Sequence, residues 1–200
     1  MPSMTRAFLI CAAAASALAV AACNRQEAAN PGQSEPVNAA QDAVGSAVGQ
    51  VSASTMGANS TEAFVSNAAM SDMYEIQAGQ MAQQKGQSAD VKAFGKMMVA
   101  DHTAMSNEMK PLAQAAGQTL PTTLDERRKG MLDNLAAASG ADFDRVYLAQ
   151  QEAAHEEALT LMRGYADGGD NAELKALAQK ATPKIQAHLD RVKQIQAGAK

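Results

Sequence analysis

The sequence predicts an all-α protein, a four-helix bundle with one additional short helix. Three observations lead there. After residue 59, apolar residues recur at helical spacing; no stretch sustains the alternation of a strand; and helix-start signals stand in front of the periodic stretches.

Taken in order, the first helix is expected over 61–85, opened by Ser60 and stopped at Gly86. The second, 88–116, starts at Ser88 and ends before the breaker run Gly117 to Pro121. Thr123 with Glu126 opens the short helix, 123–138, while Ser139 with Asp142 opens the third long one, 141–167. After the Gly168-Gly169 stop, Asp170 with Glu173 opens the fourth, 171–198. Helices of this length are about 40 Å long. Short links join the first to the second and the third to the fourth, so two antiparallel hairpins are expected to pack together. Pro111 and Pro183 each remove a backbone donor. With Thr182 as a cap, Pro183 is also able to open a new helical turn, so irregular backbone is expected just before His188. From residue 59 on there are nine Met and no Trp, which implies close helix approach with flexible thioethers filling gaps.

The first 58 residues read differently. Arg6, the uncharged run from Ala7 to Val20, and Val20-Ala21-Ala22-Cys23 form a secretory leader, 1–22, whose end resembles a bacterial lipobox with Cys23 as the acylated residue. Asn24, rather than Asp, favours the outer over the inner membrane by resemblance to lipoprotein sorting. The expected location is therefore periplasmic, anchored by lipid. Residues 23–58 are rich in Ala, Gln, Ser, Asn and Gly and are read as a lipidated Cys and flexible tether, with a weak helix at 44–56; the domain proper is 59–200. Cys11 leaves with the leader and Cys23 is blocked by lipid, so no thiol remains for a disulfide or a metal.

Without Arg6, 16 basic residues face 21 acidic ones, with no basic cluster, which excludes nucleic acid as a partner. The membrane is the expected partner through the anchor. No motif specifies a protein partner, and a homo-oligomer is left open. Catalysis is not expected: there is no thiol, no Ser-His elbow and no glycine-rich phosphate loop.

The three histidines carry the most information. His188 lies on the otherwise apolar stripe Leu174, Ala178, Ala181, Ile185, Val192 and Ile195; His155 shares a face with Leu148, Glu152, Leu159 and Met162; His102 shares one with Met98 and Met105. Each should point inward. Glu75, His102, His155 and His188 sit near the middles of the four long helices, and in an antiparallel bundle the midpoints meet at one level. Buried unpaired, such groups would cost about 1–3 kcal/mol each. Two arrangements satisfy them: a hydrogen-bonded network, or one transition-metal ion (Zn, Fe, Mn or Cu) on Glu75, His102, His155 and His188. Glu152 precedes His155 by three and is a possible further ligand, but the matching acids are missing, because Val99 and Ile185 stand three before His102 and His188. A full dinuclear carboxylate site is therefore not expected. Asp101 cannot face its neighbour His102; it either accepts a hydrogen bond from a histidine on the next helix or, in the simpler reading that we prefer at this level, caps a polar edge. The methionines around His102 invite a soft-metal reading, but the scatter of the others favours core filling.

The ordered segments "FVSNAAMSDMYEIQAGQMA", "VKAFGKMMVADH", "GADFDRVYLAQQEAAH" and "PKIQAHL" resemble the bacterial family called Domain of Unknown Function 4142, over about residues 61 to 196. The resemblance implies a ferritin-like helical bundle, an envelope location, and a shared role for Glu75, Asp101, His102, Asp144, Tyr147, His155 and His188. It supplies no activity. Thr182 replaces the leucine usual before the proline, and Glu152 is not part of the family motif. Two functions follow as expectations: a lipid-anchored envelope protein with a metal-binding bundle, serving metal handling or oxidative and envelope stress, or a metal-free structural or interaction module.

Overall fold

The computed structural model describes residues 35–55 and 59–198, with side chains from residue 38 onward. The expected leader and Cys23 lie outside the described residues. Among the described residues, six helices follow in order: α1 Glu35–Thr55, α2 Thr61–Lys85, α3 Ala89–Ala115, α4 Glu126–Ala137, α5 Gly140–Gly168 and α6 Ala172–Gly198. Among the described residues there is no strand.

The caps explain most boundaries. Ser60 accepts from the Ala63 N–H and Ser88 from the Val91 N–H, each satisfying a donor that the first helical turn leaves free. At α4 the cap is Asp125, not Thr123: its carboxylate accepts from the Arg128 N–H and places a negative charge at the positive end of the helix. At α6, Asn171 accepts from the Glu173 and Leu174 amides, while Asp170 instead takes hydrogen bonds from Thr61 and Tyr165. Ser139 precedes α5 without a side-chain cap. Neither proline ends its helix, because α3 runs through Pro111 and α6 through Pro183. Thr182 is a helical residue whose hydroxyl donates to the Ala178 carbonyl at 2.8 Å, so no new turn begins there.

α2 packs most extensively on α3, and α5 on α6; α2 also touches α5, and α3 touches α6. The α2–α3 contact is unusually close. A Cβ on Gly95 would stand 2.7 Å from both the Gly79 carbonyl oxygen and the Ala82 Cβ, so only hydrogen fits there.

The segment expected to be a tether with a weak helix at 44–56 is a helix over Glu35–Thr55 that lies on α5 and α4. Burial explains the difference. Ala53 is buried, and Gly45 and Gly49 let the backbone settle on Arg127 and Glu157. Beneath them Glu157 accepts from Arg127 at 2.7 Å and Arg128 at 2.9 Å, tying α4 to α5. Composition counts side chains to bury; here the small residues are the contact.

The interior divides into two apolar clusters. One holds Phe64, Val65, Met109, Leu161, Tyr165, Leu174 and Ile185; the other holds Phe94, Met98, Leu135, Phe143, Tyr147, Val192 and Ile195. On each long helix the change from one cluster to the other falls beside a buried polar residue: Asp72 and Glu75 on α2, His102 on α3, Gln151 and His155 on α5, His188 on α6.

Candidate metal centre

Three imidazoles from three helices meet at that belt. Their ring centroids are 5.8 Å apart for His102 and His155, 5.6 Å for His102 and His188, and 5.4 Å for His155 and His188. All three residues are buried. One ring nitrogen from each lies within 4.8 Å of the other two.

Each ring is held by one of its two nitrogens. His102 Nδ1 lies 2.8 Å from Asp72 Oδ1, across the α2–α3 contact, and the second Asp72 oxygen accepts from Ser106 at 3.1 Å. His155 Nδ1 lies 2.8 Å from the Gln151 carbonyl oxygen, one turn back on its own helix. His188 Nε2 lies 2.9 Å from Asp101 Oδ2 on α3, and Asp101 Oδ1 pairs with Lys184 at 2.8 Å. A carbonyl only accepts, so His155 carries its proton on Nδ1; the carboxylates select the same state of His102 Nδ1 and His188 Nε2. What remains is His102 Nε2, His155 Nε2 and His188 Nδ1, all buried and all without a partner.

The electrostatics keep two rings neutral. Burial, then the nearby His102 and His188, push His155 well below the ordinary histidine range. Burial drives His188 down to about 4 against the raising effect of Asp101. For His102, burial opposes the proton, but the hydrogen bond and charge of Asp72, helped by Glu75 and Asp101, raise its pKa. Glu75 is pushed up to about 7 by burial, with His102 and Gln151 resisting. Asp101 is lowered overall: partial burial raises it, and the hydrogen bonds from Lys184 and His188 outweigh that.

The orphaned nitrogens test the fit of an ion. Ligands about 2.1 Å from one centre lie at most about 4.2 Å apart, so a set already within 4.8 Å needs only small side-chain shifts. Neutral imidazoles whose far nitrogens donate to carboxylates or carbonyls are the usual ligand form. The residues fit a transition metal.

Glu75 does not join the set. Its Oε2 accepts from Gln151 Nε2 at 2.7 Å, and its Oε1 stands 3.9 Å from His155 Nδ1, the engaged nitrogen rather than the free one. Glu152 is also outside, accepting from Gln196 at 3.0 Å and lying 3.6 Å from Lys193. At 100° per residue, position 151 lies about 40° from His155 around the helix and position 152 about 60° on the other side, and the interior takes the nearer one. Asp101 accepts from the histidine of the neighbouring helix and from a surface lysine. Asp72, Gln151 and Ser106 went unread in the sequence. Asp72 had a signal: it stands three before Glu75 inside the apolar stretch of α2, on the same helical face. Gln151 acts through its backbone carbonyl, which no side-chain pattern reports. Of the other residues that the resemblance singled out, Asp144 accepts from the Gln87 and Ser88 amides in the α2–α3 turn, and the buried Tyr147 hydroxyl has no partner.

A family model described as "Domain of unknown function (DUF4142)" matches residues 46–195. It starts inside α1, upstream of where the quoted segments begin. Comparison with curated proteins gives no match. Among solved structures, "CopM in the Cu(II)-bound form" is similar with a TM-score of 0.61 at 20% identity, covering 70% of this chain and 98% of that one. "CopM in the Cu(I)-bound form" has a TM-score of 0.59 at 21% identity, covering 69% and 96%. "CopM in the Ag-bound form (by co-crystallization)" has 0.58 at 21%, covering 70% and 96%. At this identity the likeness is one of fold.

Proposed function

The chain belongs to the DUF4142 family, and we propose that it is a metal-handling protein of the cell envelope: a ferritin-like four-helix bundle of α2, α3, α5 and α6 holding one transition-metal ion on His102, His155 and His188. One observation carries this reading: three buried imidazoles gathered close enough to share an ion, each keeping one ring nitrogen without a hydrogen-bond partner. Left so, they cost about 1–3 kcal/mol each. A single ion satisfies all three. Three imidazoles favour copper or zinc over oxygen-seeking ions, and the copper- and silver-bound structures of similar fold make copper the first ion to test. Asp72, Asp101 and the Gln151 carbonyl orient the ligands, while Glu75, pushed up to about 7 by burial, is a nearby carboxyl that gives up its proton near neutral pH. When bound, the ion would supply redox or Lewis-acid chemistry; the chain's own residues bind it, orient the rings and exclude water.

The envelope assignment rests on the sequence: leader 1–22, lipidated Cys23 at the outer membrane, and a spacer leading to α1. The bundle domain within 59–200 would then be held near the membrane, with α1 docked on its side.

Elemental analysis of the full chain, purified without chelators, tests the metal. About one ion per chain is expected, as one triad holds one ion, and none when all three histidines are Ala. His155→Leu, which keeps the ring's volume, should lose the ion with little change in metal-free stability. A protein that binds no copper, zinc, iron or manganese would leave the metal-free module as the better reading.

A further inference from the structure

Resting on that metal reading, we propose that an ion reaches the triad through the seam between α3 and α6, and that the Lys184–Asp101 ion pair is the bar that closes it. The imidazoles are buried, so an ion needs a way in. Two hollows open along this seam. One, of about 560 Å³, has Phe94, Met97, Asp101 and Ala187 in its wall and reaches His188 itself. The other, of about 60 Å³, reaches Asp72, the carboxylate that holds His102. Lys184 lines both. A third hollow, of about 400 Å³ between α1, α4 and α5, has no triad residue in its wall.

The geometry ties the bar to the site. Lys184 rises from α6, one turn before His188, and crosses the seam to Asp101 Oδ1 at 2.8 Å; the other Asp101 oxygen holds His188 Nε2. When Lys184 swings out, the cation that repels an incoming ion leaves the opening and the acceptor that attracts it stays. The pair's side chains are 47% and 26% exposed, so it is a weak, water-screened interaction that opens readily. Lys180, one turn earlier on α6, pairs with Glu108 and borders only the smaller hollow. It provides a control with the same charge and without the bar.

The test measures three quantities on the full chain: the stopped-flow rate of Cu(II) loading, the equilibrium Cu(II) affinity, and the rate of carbethoxylation of each imidazole in metal-free protein, read by mass spectrometry. Lys184→Gln should speed both loading and His188 modification about two- to fivefold, the range an exposed ion pair can supply, with affinity nearly constant. Ala187→Phe, an exposed position at the rim, should slow both about tenfold by narrowing the larger hollow, a barrier rise on the scale of a steric closure. Lys180→Gln should leave both rates as in the wild type. Equal acceleration by Lys180→Gln would reduce the effect to general electrostatics and overturn the bar. Unchanged rates in Lys184→Gln would do the same, and unchanged rates in Ala187→Phe would move the route elsewhere. A protein that binds no Cu(II) sinks the metal reading alone, because imidazole modification still reports the route.

Discussion

His102 Nδ1 and Asp72 Oδ1 stand 2.8 Å apart across the α2–α3 contact, joining two buried residues that lie 30 positions apart in the chain. This contact decides which His102 nitrogen is left without a partner. Replacing Asp72 with Ala frees the tautomer and leaves two buried nitrogens instead of one. Metal affinity should fall about 10- to 100-fold, the usual effect of losing a ligand's orienting partner. Stability of the metal-free protein should fall by about 1–3 kcal/mol. Titration calorimetry reads the first and urea unfolding the second. An Asp72→Ala protein with unaltered affinity would show that the carboxylate does not orient the ligand.

The belt also sets how stability depends on pH. Between about 4.5 and 6.5, the ordinary values for Glu and His, an unfolded chain carries a proton on each of the three histidines and none on Glu75. In the folded metal-free state, Glu75, raised to about 7, and His102 hold protons, while His155 and His188, both lowered, do not. The two lowered histidines contribute stability that is present above 6.5 and lost as the pH falls below it, for His188 through about 4. The raised Glu75 and His102 contribute stability that is present at low pH, lost for Glu75 as the pH rises from 4.5 through 7, and for His102 above 6.5. Three protons unfolded against two folded make stability rise with pH across this window. Above 6.5 the balance reverses, because the unfolded histidines have lost their protons first. The melting temperature of the metal-free protein should therefore peak near pH 6.5. A bound ion replaces the His102 proton, so metal affinity should keep rising through pH 7. A monotonic fall of the melting temperature from pH 4.5 to 6.5 would contradict the assignment.

Glycine contacts supply a separate test. A methyl group on Gly95 must displace the α2 backbone at Gly79, so Gly95→Ala should cost about 1–3 kcal/mol, as overpacking does. A Cβ on Gly49 would collide with the Glu157 carboxylate. Gly49→Ala should loosen α1, seen as faster amide hydrogen exchange over 38–55, while exchange around the triad is unchanged. Slow exchange in α1 of that variant would mean that the helix is held by something other than its glycine face.

Much of this architecture was legible in one dimension. Ser60 and Ser88 marked helix starts because a capping oxygen acts within three residues, and Gly86 and Gly169 lie in the breaks between helices. Asp125 and Asn171 replaced Thr123 and Asp170 as caps because several acceptors compete at each start, and the winner depends on where the loop is pulled by its other contacts. The full length and docking of α1, beyond the weak helix expected at 44–56, are hidden for a related reason: Gly45 and Gly49 look like linker residues until a partner surface, here Arg127 and Glu157, is in place.

From the order of residues alone it follows that the protein is helical, that His102, His155 and His188 face inward, and that they stand near the middles of their helices. Those properties follow from local hydrogen bonding and from a period of 3.6 residues. The packed fold was needed to show that the free nitrogens are His102 Nε2, His155 Nε2 and His188 Nδ1, that Asp72 holds one ring, and that Glu75 and Glu152 stay outside the set. Periodicity gives a side chain's direction to within tens of degrees, whereas a hydrogen bond or a metal bond is decided within a few tenths of an ångström, by rotamers and helix registers that depend on residues far apart in the chain.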